Sequence, residues 1–142
     1  MWTHQLAVGN PNTPSQCGDP LLGFGSIVSP AYANGLLYAA GGLTPGGDNG
    51  SVVALDPATG AVRFEHATPG YVIAAMALVG DVLFVASNTN RGRSSTLEIL
   101  DARTGVLLRT FTQPSATVAA PSVSGGTILW VTFQGHLTAL SR

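Results

Sequence analysis

Ser51-Val52-Val53-Ala54-Leu55-Asp56-Pro57-Ala58-Thr59-Gly60 returns 45 residues later as Thr96-Leu97-Glu98-Ile99-Leu100-Asp101-Ala102-Arg103-Thr104-Gly105. Its first half returns again as His136-Leu137-Thr138-Ala139-Leu140-Ser141, with Leu140 lying 40 residues beyond Leu100. A second motif precedes each copy. It reads Asn34-Gly35-Leu36-Leu37-Tyr38-Ala39-Ala40, then Gly80-Asp81-Val82-Leu83-Phe84-Val85-Ala86, then Gly126-Thr127-Ile128-Leu129-Trp130-Val131-Thr132. The aromatic residues at 38, 84 and 130 set two steps of 46. Self-similarity at one register over this many positions is the mark of a repeat architecture.

Each repeat reads as short strands rich in Val, Leu, Ile and Thr, bounded by Gly, Asn or Pro. The spacing predicts strands over 27–33, 36–42, 50–56 and 61–67, then over 72–78, 82–88, 95–101 and 105–112. A third set covers 117–123, 127–133 and 135–141. No window of 11 or more residues carries a 3.6-residue apolar stripe, so no helix is expected. Asp-x-x-Thr-Gly joins the third and fourth strands of a repeat. The carboxylate accepts hydrogen bonds from N–H groups two or three residues on, and glycine supplies the positive φ that closes the turn. Asp56 and Asp101 are therefore read as turn-formers and not as catalytic acids.

The second strands are apolar on both faces, as in Leu36-Leu37-Tyr38-Ala39-Ala40. A sheet with one wet face would alternate instead. A four-stranded sheet every 45 or so residues, covered on both faces by its neighbours, is a β-propeller blade. The expected fold is all-β: a partial β-propeller of consecutive four-stranded antiparallel blades. It holds two complete blades, one three-stranded blade and one orphan N-terminal strand.

Composition agrees. Among 142 residues only 9% are charged, against about 25% in an average protein. Sheet faces packed blade against blade need no charge, because only the loops meet water. The net charge is −1 and every one of the six basic residues is Arg, with no basic stripe to hold a nucleic acid. A transmembrane helix needs about 20 apolar residues in a row. The uncharged stretches 20–47 and 110–141 are broken by Pro and Gly, so no transmembrane segment is expected. The opening Met1-Trp2-Thr3-His4-Gln5 has neither the basic start nor the apolar core of a signal peptide. The single Cys17 allows no internal disulfide.

Ser29-Pro30 followed by Asn34-Gly35 and Tyr38, and then Gly50-Ser51-Val52-Val53-Ala54-Leu55-Asp56-Pro57-Ala58-Thr59-Gly60, resembles the pyrroloquinoline-quinone-like (quinoprotein-type) propeller repeat. The resemblance covers residues 26–142. It implies an aromatic residue eight positions after the Asp, where the family's Trp docks against the adjacent blade. Phe64 stands there in the first repeat and Arg109 in the second. The Lys that follows the family's Gly is replaced by Ala61 and Val106. Trp2-Thr3-His4 aligns with Phe64-Glu65-His66. On that alignment the chain divides into an outer strand of a preceding blade (1–8), a loop insertion (9–25), a blade (26–70), a second blade (71–114) and a final incomplete blade (115–142). The whole would be the C-terminal part of a longer propeller.

Several residues invite a chemical reading. Cys17 and Asp19 in the 9–25 insertion could hold a metal, but two ligands do not make a closed site. His4, His66 and His136 stand in no recognisable triad, and Gly-x-Ser-x-Gly is absent. The Gly-rich run 41–50 lacks the Lys of a phosphate loop. Asn88-Thr89-Asn90-Arg91-Gly92-Arg93 reads as a solvated hairpin that carries the one basic spot. Catalytic members of the resembling family carry vicinal cysteines, an acidic calcium ligand and a stacking Trp. Here one Cys stands alone and Trp130 falls on a buried strand, so no catalytic, cofactor-binding or metal residue is assigned. No cofactor is expected in this chain; pyrroloquinoline quinone would belong only to a full-length parent.

The resemblance implies a non-catalytic repeat segment, serving as a binding or assembly platform within a longer envelope or secreted protein. The wider family includes such scaffolds, an outer-membrane assembly lipoprotein among them. One alternative is a fragment of a quinone-dependent alcohol or sugar dehydrogenase, and a second is a structural remnant without activity of its own. The expected partners are the remaining blades of the same propeller, and a second copy of the chain. Residues 2–6 and 135–140 are complementary, since one is a strand without a sheet and the other an edge without a strand. They would pair within one chain or between chains. The two end blades would each expose a largely apolar face.

Overall fold

A computed structural model describes residues 1–12 and 20–141. Among these residues twelve strands form three antiparallel sheets. In the first, β1 (Ala31–Ala33), β2 (Leu36–Gly41), β3 (Ser51–Leu55) and β4 (Val62–Ala67) lie in chain order. In the second, β5 (Tyr71–Val72) and β6 (Ala77–Val79) both pair with β7 (Val82–Thr89), followed by β8 (Ser94–Asp101) and β9 (Leu107–Gln113). The third holds β10 (Ser122–Ser124), β11 (Thr127–Val131) and β12 (Leu137–Leu140). The only helical pieces among the described residues are two three-residue turns, Pro20–Leu22 and Asn90–Gly92. The all-β blade architecture is as the sequence leads one to expect. The first strand of each blade is shorter than expected, and in the second blade it is split in two around 73–76.

The sheets stack face to face. Tyr38, Ala40, Val52 and Ala54 on the first meet Leu83, Val85 and Leu100 on the second. Phe84, Ala86 and Leu97 on the reverse of the second meet Trp130 on the third. Adjacent residues of β7 thus serve two cores, as the period of two in a strand requires. Leu83, Val85 and Ala86 are all fully buried.

That pairing corrects the aromatic spacing. The two-residue turns place Leu36, Val82 and Thr127 at the same hairpin position, since Ala33↔Leu36, Val79↔Val82 and Ser124↔Thr127 close the three turns. The steps along these strands are therefore 46 and 45. Trp130 stands where Val85 does, one residue out of register with Phe84. A shift of one residue reverses the face. Phe84 points forward to the third sheet, while Trp130 points back to the second and fills that joint. Leu129, Val131, Leu137 and Ala139 take the opposite face, where Leu137 is 66% exposed.

The N-terminal end differs from the expectation of an open apolar face. Ala39, Val53 and Leu55 on the far side of the first sheet are 7%, 1% and 2% exposed. Residues 1–9 lie over that side. Trp2, His4 and Leu6 turn inward and Met1, Thr3 and Gln5 outward, the alternation that Phe64-Glu65-His66 shows on β4. Among the described residues, 1–7 belong to no strand ladder. The described flanks of the 9–25 insertion are tied down as well. The Val8 N–H donates to Leu43, Gly25 N–H to Val8, and Leu43 N–H to Gly23, extending the end of the first sheet.

The joint between sheets is an aromatic ring laid on a glycine. A Cβ at Gly105 would collide with Phe64, and one at Gly60 with Trp2. Both glycines have φ +73, closed to most L side chains. Gly35 has φ +76 with nothing within 4 Å. Gly35→Ala should therefore cost about 1 kcal/mol of backbone strain, and Gly105→Ala about 3 kcal/mol through strain plus displacement of the ring. Urea unfolding of both variants checks this; equal losses would mean that the ring contributes nothing.

Candidate functional site

The Asp-x-x-Thr-Gly turns form as their residues dictate. One Asp56 carboxylate oxygen accepts the Ala58 and Thr59 N–H groups at 2.9 and 3.1 Å, and one of Asp101 accepts those of Arg103 and Thr104 at 2.9 Å each. Arg63 adds a 2.6 Å bond to the other oxygen of Asp56. That guanidinium first, then the turn N–H groups, hold the Asp56 carboxyl below its ordinary value. For Asp101 the Thr104 hydroxyl and N–H do so. Both carboxylates serve the turn.

Around these turns the sheets interlock through polar atoms. The Tyr38 hydroxyl donates to the Ala102 carbonyl at 2.9 Å, and the Asn34 amide to the Gly80 carbonyl at 3.0 Å. Within the second sheet, Arg103 reaches Asp81 of the neighbouring turn at 3.0 Å. His66 Nε2 on β4 lies 3.4 Å from a Glu98 carboxylate oxygen on β8, between the first and second sheets. Glu98 is the one buried acid among the described residues. Sequence alone did not single it out. The available signal was an acid on a buried apolar strand, at the repeat position that holds Val53.

Asn88 corrects the reading of 88–93 as a solvated hairpin. Arg91 and Arg93 are exposed, but Asn88 is fully buried. Its amide donates to the Thr117 carbonyl at 2.8 Å and accepts the Thr117 N–H at 2.7 Å. Ser95 donates to the Ser115 carbonyl, and the Thr117 hydroxyl to that of Val131. These side chains seat the linker to the third sheet, which has lost backbone partners where the expected 117–123 strand shrinks to β10.

The Gly-rich run 41–50 is a turn held by Thr44 and Asp48: the Asp48 N–H donates to the Thr44 hydroxyl at 3.0 Å. His136 is exposed in the loop before β12, and its N–H donates to the Thr132 hydroxyl at 3.3 Å. Cys17 and Asp19 lie outside the described residues. Among the described residues no three His, Cys, Asp or Glu side chains converge on a metal position.

Two concavities stand out among the described residues. One, of about 310 Å³, lies over the ends of the first two sheets between Phe24, Tyr71, Asn90 and Arg91. The larger, about 500 Å³, lies between the second and third sheets and is lined by Phe84, Ile99, Phe111, Val123, Ile128 and Leu140. Arg109 borders it, its guanidinium 5.5 Å from the Phe111 ring centre. Phe64 and Arg109 occupy the same place in successive blades, paired with Ala54 and Ile99. An arginine where the first blade has a ring leaves this joint open at its rim.

A planar quinone cofactor does not fit these residues. Trp130 is 1% exposed between two sheets, and Trp2 lies on Gly60 with its indole N–H on the Pro57 carbonyl. Trp130 offers no free face for stacking, and the one cysteine of this chain makes no vicinal pair.

Consecutive antiparallel sheets, stacked face to face and locked by rings on turn glycines, define a partial β-propeller of the quinoprotein-like class. The family model described as outer membrane protein assembly factor BamB matches residues 1–142, and the chain belongs to that family. No curated protein matches the sequence. Among solved structures, the computationally designed Ika4 protein is similar over 79% of this chain and 63% of its own, at 16% identity and TM-score 0.61. BamB from Moraxella catarrhalis is similar over 80% of this chain and 31% of its own, at 18% identity and TM-score 0.65. A quinohemoprotein alcohol dehydrogenase, ADHIIG from Pseudomonas putida HK5, is similar over 82% of this chain and 19% of its own, at 20% identity and TM-score 0.63. At these identities the likeness concerns the fold. The chain spans about a third of the Moraxella protein and a fifth of the dehydrogenase.

Two outcomes follow from the polar contacts. Asn88→Ala leaves the buried N–H and carbonyl of Thr117 without their partner and should cost about 2–3 kcal/mol, read from the urea midpoint. Asp56 and Asp101 have lowered folded-state values. Their contribution is present above the ordinary carboxyl value of 3.8 and is lost as pH falls through the lower folded value. Asp56→Asn and Asp101→Asn should therefore lower the midpoint at pH 5.5 and leave it close to that of the unaltered chain at pH 2. An equal deficit at both pH values would show that the charge is irrelevant.

Proposed function

We propose that this chain is a non-catalytic binding or assembly platform, part of a longer envelope or secreted protein that works outside the cytoplasm. The observation that carries the reading is the match of the whole chain to the assembly-factor family. The larger groove supports it. Its walls are aliphatic and aromatic, and Arg109 is the one ionisable side chain on them. Such a surface holds an apolar segment and carries no carboxylate, imidazole or thiol to react with it. The partner it suits is an extended protein strand with alternating apolar residues, of the kind an outer-membrane barrel contains.

No helix among the described residues is long and apolar enough to cross a membrane. The competing reading is a segment of a quinone-dependent dehydrogenase. It draws on the fold similarity to the alcohol dehydrogenase and finds no stacking Trp or cysteine pair in this chain.

Two measurements separate the readings. Titration with a ten-residue peptide alternating Leu or Phe with Ser or Thr should shift tryptophan emission, because Trp130 borders the same core. Leu108→Glu, an exposed change on the groove, should weaken binding about tenfold. Pyrroloquinoline quinone with Ca²⁺ should give no dye-linked oxidation of ethanol or glucose. Turnover above background, or peptide binding indifferent to Leu108→Glu, overturns the proposal.

A further inference from the structure

The smaller cavity lies over the joint between the first and second sheets, and its walls come from residues 22–91, well inside the chain. One wall is Leu22, Gly23 and Phe24, the described end of the 9–25 insertion. Loops added to a rigid scaffold are a usual place for binding residues. Two kinds of group meet here. Phe24 and Tyr71 supply half-buried rings, and Asn49, Asn90 and Arg91 supply two amides and a guanidinium. Asn34 and Asn88 elsewhere spend their amides on carbonyls of neighbouring segments. Among the described residues the side chains of Asn49, Asn90 and Arg91 and the Tyr71 hydroxyl make no such bond and no ion pair. Their hydrogen-bonding capacity is turned toward one cavity.

The walls are held in place. A Cβ at Gly23 would lie 3.3 Å from the Tyr71 ring, and one at Gly92 would lie 3.3 Å from its hydroxyl, so the ring rests between two glycines. Asn90, Arg91 and Gly92 follow one another at φ +51, +55 and +75. Side-chain-bearing residues enter that left-handed region at a cost, and such residues gather where a turn holds a ligand group in position. This turn keeps Asn90 and Arg91 beside the two rings.

We propose that the cavity binds one pyranose unit of an acidic saccharide, a hexuronate. A pyranose presents C–H groups that pack on aromatic rings, and hydroxyls that both donate and accept, as amides do. A space of about 310 Å³ stands at the small end of ligand sites, which run from about 300 to 1,000 Å³, and suits a single sugar ring. The described walls carry one cation and no carboxylate. A carboxylate on the sugar therefore gains a charge-assisted bond to Arg91 that a neutral sugar lacks.

Amide nuclear magnetic resonance spectra of the full chain, titrated with methyl β-glucuronide, test this. The signals of residues 22–24, 49, 70–71 and 89–91 should move together at millimolar sugar, and those of the β11–β12 hairpin should stay. Methyl β-glucoside should bind about tenfold more weakly, for want of one charge-assisted hydrogen bond. Arg91→Gln, a change at an exposed position, should abolish that preference and leave glucoside binding as it was. Phe24→Ala should weaken both sugars while signals remote from the cavity keep their places. Benzoate, which has the carboxylate and a ring but no hydroxyls, should bind more weakly than the glucuronide. Absence of shifts at the cavity overturns the proposal. So does benzoate binding as tight as the glucuronide's, or a preference for the glucuronide that survives Arg91→Gln.

Discussion

The arrangement depends on one contact, a ring resting on a turn glycine across the boundary between sheets. Phe64 covers Gly105 and Trp2 covers Gly60. Each glycine does two things. It takes a φ of +73 that closes the Asp-anchored turn, and it presents bare backbone on which a ring can lie. A side chain there would push the ring away and separate the sheets. The Tyr38 hydroxyl and the Asn34 amide then bond across the same boundary, which fixes the angle at which the blades stack.

Where that contact is absent, the structure opens. Arg109 occupies the ring position of the second blade, and the joint to the third sheet is held from within by Trp130 and from the linker by Asn88. The groove left between Phe111 and Leu140 follows from this change of means. That apolar joint with an open rim is the surface on which the proposed platform role rests.

Much of the fold was legible in the residues. The 45-residue recurrence of Asp-x-x-Thr-Gly placed the turns, because the bonds that shape such a turn are local to five residues. The strands from 36 to 113 fell close to where their Val, Leu and Ile runs put them, since two-faced apolar strands have no stable alternative to burial between sheets. Less of the site was legible. Asn88 looks like a loop residue, and Glu98 departs from the pattern without saying what faces it. Asn88 is satisfied by Thr117 of the linker, and Glu98 lies 3.4 Å from His66 of another sheet.

Repeat and turn chemistry were thus determined by sequence alone, because each is a statement about residues near one another or about copies of one pattern. Which face Trp130 presents was decided only in three dimensions. Matching aromatic to aromatic gives a step of 46, whereas the hairpin ladder gives 45, and hydrogen-bond register outranks side-chain likeness. The covering of the first sheet by residues 1–9 was decided there too. A segment with no ladder leaves no periodic signal beyond its own alternation, and its seat on Gly60 shows where it lies.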